Sequence, residues 1–183
     1  MTKAFLALTI WFVCLAPAPS RAFDVDLVSV GIRASVSSER VLGEEQPDAF
    51  SEYDVWAAFR LPWQTYGESS WGVGTRLLTS AGYFAGGGSS ALVVSLLPLV
   101  AFGTEDGRFT VDLGAGVAVL SRSKFAHQDF GGAVQGALTF GVSLPLHQKF
   151  GVGYRFMHYS DWGAYGSGTT GADFHMVELV YQF

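Results

Sequence analysis

The sequence predicts an all-β chain, an eight-stranded antiparallel transmembrane (outer-membrane) β-barrel. Three observations predict it. Period-2 alternation of side chains recurs along the chain, turn signals divide it into eight segments, and the connections between segments alternate between short and long. The 183 residues are 49% apolar and 15% aromatic but only 15% charged, with 23 Gly. That length fits one domain. An ordinary soluble domain carries about 25% charged residues, so this composition excludes a disordered chain, a coiled coil and a helical bundle. A net charge of −5 with no basic stripe also excludes a general nucleic-acid binder.

The segment 1–22 reads as a secretory signal peptide. Lys3 opens it, an apolar stretch follows, and small residues lead to cleavage after Ala22. The apolar run is shorter than the ~20 residues of a membrane-spanning helix. Lys3 and Arg21 leave with this segment and take the formal charge from −5 to −7 over the barrel domain, 23–183. Cys14 leaves too, so the barrel domain has neither disulfides nor a cysteine nucleophile.

The first strand is expected near 27–37 and the second near 51–63, where Tyr53, Val55, Ala57, Phe59 and Leu61 alternate with Asp54, Trp56, Ala58 and Arg60. Turn signals then bound strands near 71–84 and 89–103. The fifth, near 108–121, sets Phe109, Val111, Leu113, Ala115, Val117 and Val119 against Thr110, Asp112, Gly114 and Gly116. A sixth is expected near 133–145. The seventh, 151–160, alternates Val152, Tyr154 and Phe156 with Gly153, Arg155 and Met157, and the eighth covers 172–183. Connections at 64–70, 104–107 and 146–150 are short, and those at 38–50, 122–132 and 161–171 are longer. The Gly-rich 85–88 is the exception.

The parity holding Asp54, Arg60, Arg76, Asp112, Arg155 and Glu178 balances three acids against three Arg, as a self-neutralising lumen would. The opposite parity is nearly free of charge and rich in rings, as a lipid face should be. A soluble barrel would show the reverse polarity. Eight strands enclose only enough space for side chains, so no solute channel is expected. The aromatic last strand, HMVELVYQF, resembles the signal read by the barrel assembly machinery.

On the lipid-facing parity, polar residues gather at one end. The seventh strand ends that row with His158 and Ser160, and the eighth begins it with Asp173 and His175. With both termini periplasmic, these residues meet at the outer rim. Ser, His and a carboxylate together suit acyl transfer: the imidazole takes the hydroxyl proton and the acid orients the imidazole. His158 and Ser160, at i and i+2, share a face. Read from the residues alone, polar trim at the headgroup boundary fits equally well, because charge there costs only about 0–1 kcal/mol.

YRFMHYSDWG followed by GADFHMVELVYQF resembles the carboxyl end of the lipid A 3-O-deacylase family (PagL-like, also called acyloxyacyl hydrolases). YDVWAAFRLPW, WGVGTRLLTSAGYF and FTVDLGAGVAVLSRSKF resemble it too. The resemblance implies an outer-membrane barrel with a serine hydrolase site facing lipid, needing no cofactor or metal, with lipid A of lipopolysaccharide as substrate and outer-membrane lipids as neighbours. It maps the family's His and Ser onto His158 and Ser160. The family's acid is a Glu. Anchoring on Gly171 puts Asp173 at that position, whereas anchoring on Tyr181 puts His175 there. The family commonly has Asn after the Ser. Here Asp161 stands there, and an ionised Asp cannot donate. The oxyanion candidates are therefore Asp161 by position and the backbone N–H of Trp162 or Gly163.

Glu178 lies on the lumen parity and is expected to pair with Arg155. Arg122 and Lys124, in the 122–132 loop, are candidates for contacts with substrate phosphates. His127 and His147 show no metal-ligand spacing. The expectation is an esterase that removes the 3-linked acyl chain of lipid A, with Ser160 as nucleophile, His158 as base and then acid, and Asp173 orienting His158. The alternative is a non-catalytic small barrel with a structural or interaction role, which Asp161 most favours.

Overall fold

The fold is described from a computed structural model, in which residues 26–37, 41–42, 49–166 and 169–183 are described. The expected signal peptide and Cys14 lie outside these residues. The strands are β1 (Leu27–Ser37), β2 (Phe50–Tyr66), β3 (Trp71–Gly86), β4 (Ser89–Thr104), β5 (Thr110–Leu120), β6 (Lys124–Phe125), β7 (Gln128–Asp129), β8 (Val134–His147), β9 (Phe150–Ser160) and β10 (Ala172–Gln182). All but β6 and β7 form one closed antiparallel barrel, in which β10 pairs with β1 to complete the circle. Closure leaves no sheet edge, so every backbone group in the wall can pair with a neighbouring strand.

These strands follow the alternation in the sequence. Where β2 runs past its predicted end, two extra residues between Arg60 and Gln64 bulge out against β3. The Gly-rich connection is a two-residue turn between β3 and β4. Gly87 and Gly88 both have positive φ there, 53° and 72°, the conformation that a tight hairpin requires and a side chain resists.

Polarity is inverted relative to a soluble barrel. Along β4, Leu92 (65% exposed), Val94, Leu96, Val100 and Phe102 point outward, while Val93, Ser95, Leu97 and Leu99 are buried inside. An apolar belt outside and charge inside is the arrangement for a hydrocarbon surrounding.

Inside, Arg155 donates to Glu178 (2.7 Å) and to Asp112 (2.7 Å), and Arg33 donates to Asp54 (2.7 Å). Arg33 also lies 3.6 Å from Glu178, which links the two clusters. Glu178 thus pairs with Arg155 as expected. The set of six read from the sequence needs one correction, because Arg60 does not join this network, whereas Arg76 faces it through the charge of Asp112. Arg60 sits at the bulge, bonded to Gln64, and Arg76 bonds Thr110. Arg33 supplies the cation instead, and Glu52 enters as well, accepting from Tyr159 (2.8 Å).

Above the charges, the lumen is filled by rings. Phe84 meets Phe50 at 4.9 Å and Phe125 and Phe174 at 5.3 Å between centroids. Phe125 and Phe130 belong to the β5–β8 connection, whose β6–β7 hairpin folds into the barrel mouth. Burying each ring contributes roughly 1.5–3 kcal/mol, enough to hold the connection against the barrel.

Candidate active site

β9 and β10 are paired so that Asp173 lies directly across from His158, and His175 across from Phe156. Outward-facing Val152, Tyr154, Phe156, His158 and Ser160 alternate with Arg155, Met157 and Tyr159 inside. The row therefore follows the predicted parity. It ends at the β9–β10 connection, opposite the end where Phe183 bonds Val28 near the start of β1.

His158 Nδ1 and Asp173 Oδ1 are 2.5 Å apart. Both side chains are nearly inaccessible: His158 is 7% exposed and Asp173 1%. Asp173 Oδ2 accepts the backbone N–H groups of Val41 (2.5 Å) and Leu42 (2.6 Å), which arrive from the β1–β2 connection. With Nδ1 committed to the carboxylate, the Nε2 edge of His158 is the one left for a second partner. Ser160, half-buried, lies on the same face about 6.6 Å along the strand.

The peptide after Ser160 turns sharply. Trp162 has φ 51° and Gly163 φ 80°. Ser160 Oγ accepts the N–H of Trp162 at 3.1 Å. A hydroxyl has two lone pairs and one hydrogen, so this bond leaves the hydrogen free to be given to a base. The Trp162 indole lies over Gly136, the β8 partner of Ser160, where an added Cβ would come within 2.4 Å of the ring. Gly136 thus makes room for the ring that flanks Ser160.

Asp161 is an acceptor three times over, from Gly163 N (2.9 Å), Tyr165 N (3.0 Å) and Thr169 Oγ1 (2.8 Å). Partial desolvation raises its pKa, but these bonds outweigh it and hold the carboxyl below its ordinary value. Asp161 is therefore ionised near neutral pH and shapes the turn. Gly163 N–H is turned to Asp161, so of the three oxyanion candidates only the Trp162 N–H is directed at Ser160. Asp161→Ala should leave the barrel folded. It should lower turnover about 2–10-fold, the effect of loosening a turn whose bonds contribute about 0.5–1.5 kcal/mol each. Initial rates on the folded variant check this, and unchanged turnover would mean that the turn is indifferent to Asp161.

The neighbouring hairpin steadies this end of the barrel. Gln128 Nε2 donates to the carbonyl of Gly171 at 2.6 Å, two residues before Asp173, and Thr170 N donates to Asp129 O. Lys124 pairs with Asp129 at 2.9 Å with its side chain 77% exposed, and Arg122 donates to Ser89 Oγ at 3.2 Å. Both cations are at the same end of the barrel as His158, Ser160 and Asp173. His175 accepts from or donates to the Tyr154 hydroxyl at 2.7 Å through Nδ1 and is not opposite His158. Among the described residues, no group of three His, Cys, Asp or Glu is placed to hold a metal ion.

Sequence reasoning did not find Val41, Leu42 or the bracing by Gln128. Backbone donors carry no side-chain signal, and Gln128 acts through a contact 43 residues away.

The barrel is similar to a solved structure described as the crystal structure of the outer membrane enzyme PagL, with a TM-score of 0.68 and 15% sequence identity over 85% of this chain and 99% of that one. At that identity the likeness speaks for the fold. No curated protein matches the sequence. The family described as lipid A 3-O-deacylase (PagL) matches residues 51–182, a span that holds Ser160, His158 and Asp173. The chain belongs to the lipid A 3-O-deacylase (PagL) family.

Proposed function

We propose that this protein hydrolyses the 3-linked acyl ester of lipid A from the outer leaflet, with Ser160 as nucleophile, His158 as base and then acid, and Asp173 as the group that orients His158. The observation that carries this reading is the bond between His158 Nδ1 and Asp173 Oδ1, on a lipid-facing row that continues to Ser160. A histidine held by a carboxylate, on the same face as a serine, is the arrangement that acyl transfer uses.

Serine attacks the ester carbonyl carbon through Oγ, and its proton passes to His158 Nε2. Asp173 stabilises the imidazolium through Nδ1. The carbonyl π electrons move onto oxygen, and the Trp162 N–H, 3.1 Å from Oγ, is the backbone donor assigned to that oxyanion. Collapse breaks the bond to the sugar oxygen, which takes the proton from His158. Water then attacks the acyl-serine by the same path in reverse. The products are a free 3-hydroxy fatty acid and an under-acylated lipid A.

The outer-leaflet placement rests on topology. The triad lies at the barrel end opposite the termini, and an even-stranded barrel with periplasmic termini turns that end outward. Outer-membrane lipids then surround the belt. A shallow apolar depression of about 890 Å³ on the wall, bordered by Ile32, Ala34, Tyr53, Val55, Val177 and Leu179, suits an acyl chain. Arg122 and Lys124, at the same end, suit the substrate phosphates. Removal of 1–22 and insertion of 23–183 by the barrel assembly machinery belong to the same reading.

Mass spectrometry of lipid A tests it. Cells making the protein should show lipid A lighter by one 3-hydroxyacyl chain than cells without it. Identical lipid A in the two, with folded barrel in the outer membrane, would leave the non-catalytic role.

A further inference from the structure

The geometry points to Val41 and Leu42 as positioning residues, whose backbone N–H groups hold the Asp173 carboxylate in the plane that lets it orient His158. This rests on the triad reading above and adds to it a component from a distant part of the chain.

Asp173 faces outward from a barrel wall, where a side chain is ordinarily open to its surroundings. It is nevertheless only 1% exposed. The cover comes from the β1–β2 connection, more than 130 residues earlier. Val41 N and Leu42 N both donate to Oδ2, at 2.5 and 2.6 Å. Two successive N–H groups converging on one oxygen form an anion-binding concavity. The side chains of Val41 and Leu42 are turned away and exposed, 60% and 42% respectively. The peptide groups therefore make the contact.

The consequence follows from the carboxylate's geometry. Oδ2 is fixed by two charge-assisted bonds, so rotation about the Cβ–Cγ bond is stopped and Oδ1 is left facing His158 Nδ1 at 2.5 Å. Without the two donors the carboxylate turns, and the imidazole it orients turns with it. The opposite reading is that Asp173 merely fastens the connection to the barrel. The two readings differ in what is lost when a donor is removed. Fastening affects loop order and substrate binding, whereas positioning affects turnover.

Proline deletes a single backbone N–H. Val41→Pro and Leu42→Pro, each in the full chain and assayed on purified lipid A in detergent micelles, should lower kcat about 10–100-fold with KM within about threefold of wild type. Val41→Ala and Leu42→Ala keep both donors and should bring kcat back to within about threefold of wild type. Slower migration after boiling than before, on a detergent gel, verifies that each variant is folded, and the two prolines report the same contact independently. The decisive comparison is a double-mutant cycle with Asp173→Asn. If the donors act through Asp173, either proline should cause almost no further loss in that background. Wild-type kcat in the folded proline variants would overturn the inference while leaving the triad intact. So would a proline loss of equal size with and without Asp173→Asn, or a loss confined to KM. Full activity of Asp173→Asn alone would remove the triad reading itself.

Discussion

Ser160→Ala and His158→Ala should each abolish lipid A deacylation, with kcat falling on the order of 10⁶-fold, while the barrel still inserts and still shifts on heating. The size of the loss follows from how the two act. A serine hydroxyl is a poor nucleophile near neutral pH unless a base takes its proton, and the base has nothing to activate without the hydroxyl. Removing one therefore removes nearly the whole effect of both. Folding is spared because neither residue belongs to the lumen network or the aromatic plug. Ser160 is half-buried at the end of β9, and its Oγ bonds only the turn that follows among the contacts described. Full activity in either variant would remove the triad assignment. Equal residual activity in the two single variants and the double variant is the additional mark of a unit that acts together.

The second large effect separates two acids of β10. Asp173 and Glu178 are five residues apart and so face opposite sides of the wall. Asp173→Asn should cost about 10⁴-fold in kcat, because an amide holds the wrong imidazole tautomer and leaves the imidazolium unsupported. Stability should change little. Glu178→Gln should do the reverse. Glu178 accepts from Arg155 at 2.7 Å and lies 3.6 Å from Arg33, with its side chain 1% exposed. Neutralising it leaves two buried guanidinium groups short of an anion, at a cost on the order of 3 kcal/mol. Activity per folded molecule should stay near wild type. Urea unfolding and initial rates on the same two proteins decide the matter. An inactive but stable Glu178→Gln beside an unaffected Asp173→Asn would overturn the assignment. So would an inactive His175→Ala beside a normal Asp173→Asn. The observed register speaks against that last outcome, since His175 lies across from Phe156 and bonds Tyr154.

Much of this protein is legible residue by residue. Strand period is local, so alternation along 151–160 was enough to put His158 and Ser160 on the lipid side and Arg155 in the lumen. The same argument placed Glu178 inside beside Arg155, and Gly87 and Gly88 marked the tight turn between β3 and β4. Turn signals divided the chain into the eight barrel strands, and the uneven sharing of charge between the two parities marked the face that meets hydrocarbon.

The tertiary structure decided what depends on which distant residues come together. Cross-strand register set Asp173, the residue the Gly171 anchor favours, across from His158, and put His175, the alternative from the Tyr181 anchor, across from Phe156. Closure of β1 on β10 brought Arg33 to Glu178, and Arg60, at the β2 bulge, bonds Gln64 outside the lumen network. Folding of the β5–β8 connection into the mouth buried Phe125 and Phe130, which the strand pattern treats as loop residues. The donors on Asp173, 131 and 132 residues away along the chain, were the least legible of all. Alternation records which way a side chain points, whereas a peptide N–H is the same group at nearly every residue, and only the path of the chain through space determines which of them reaches the carboxylate.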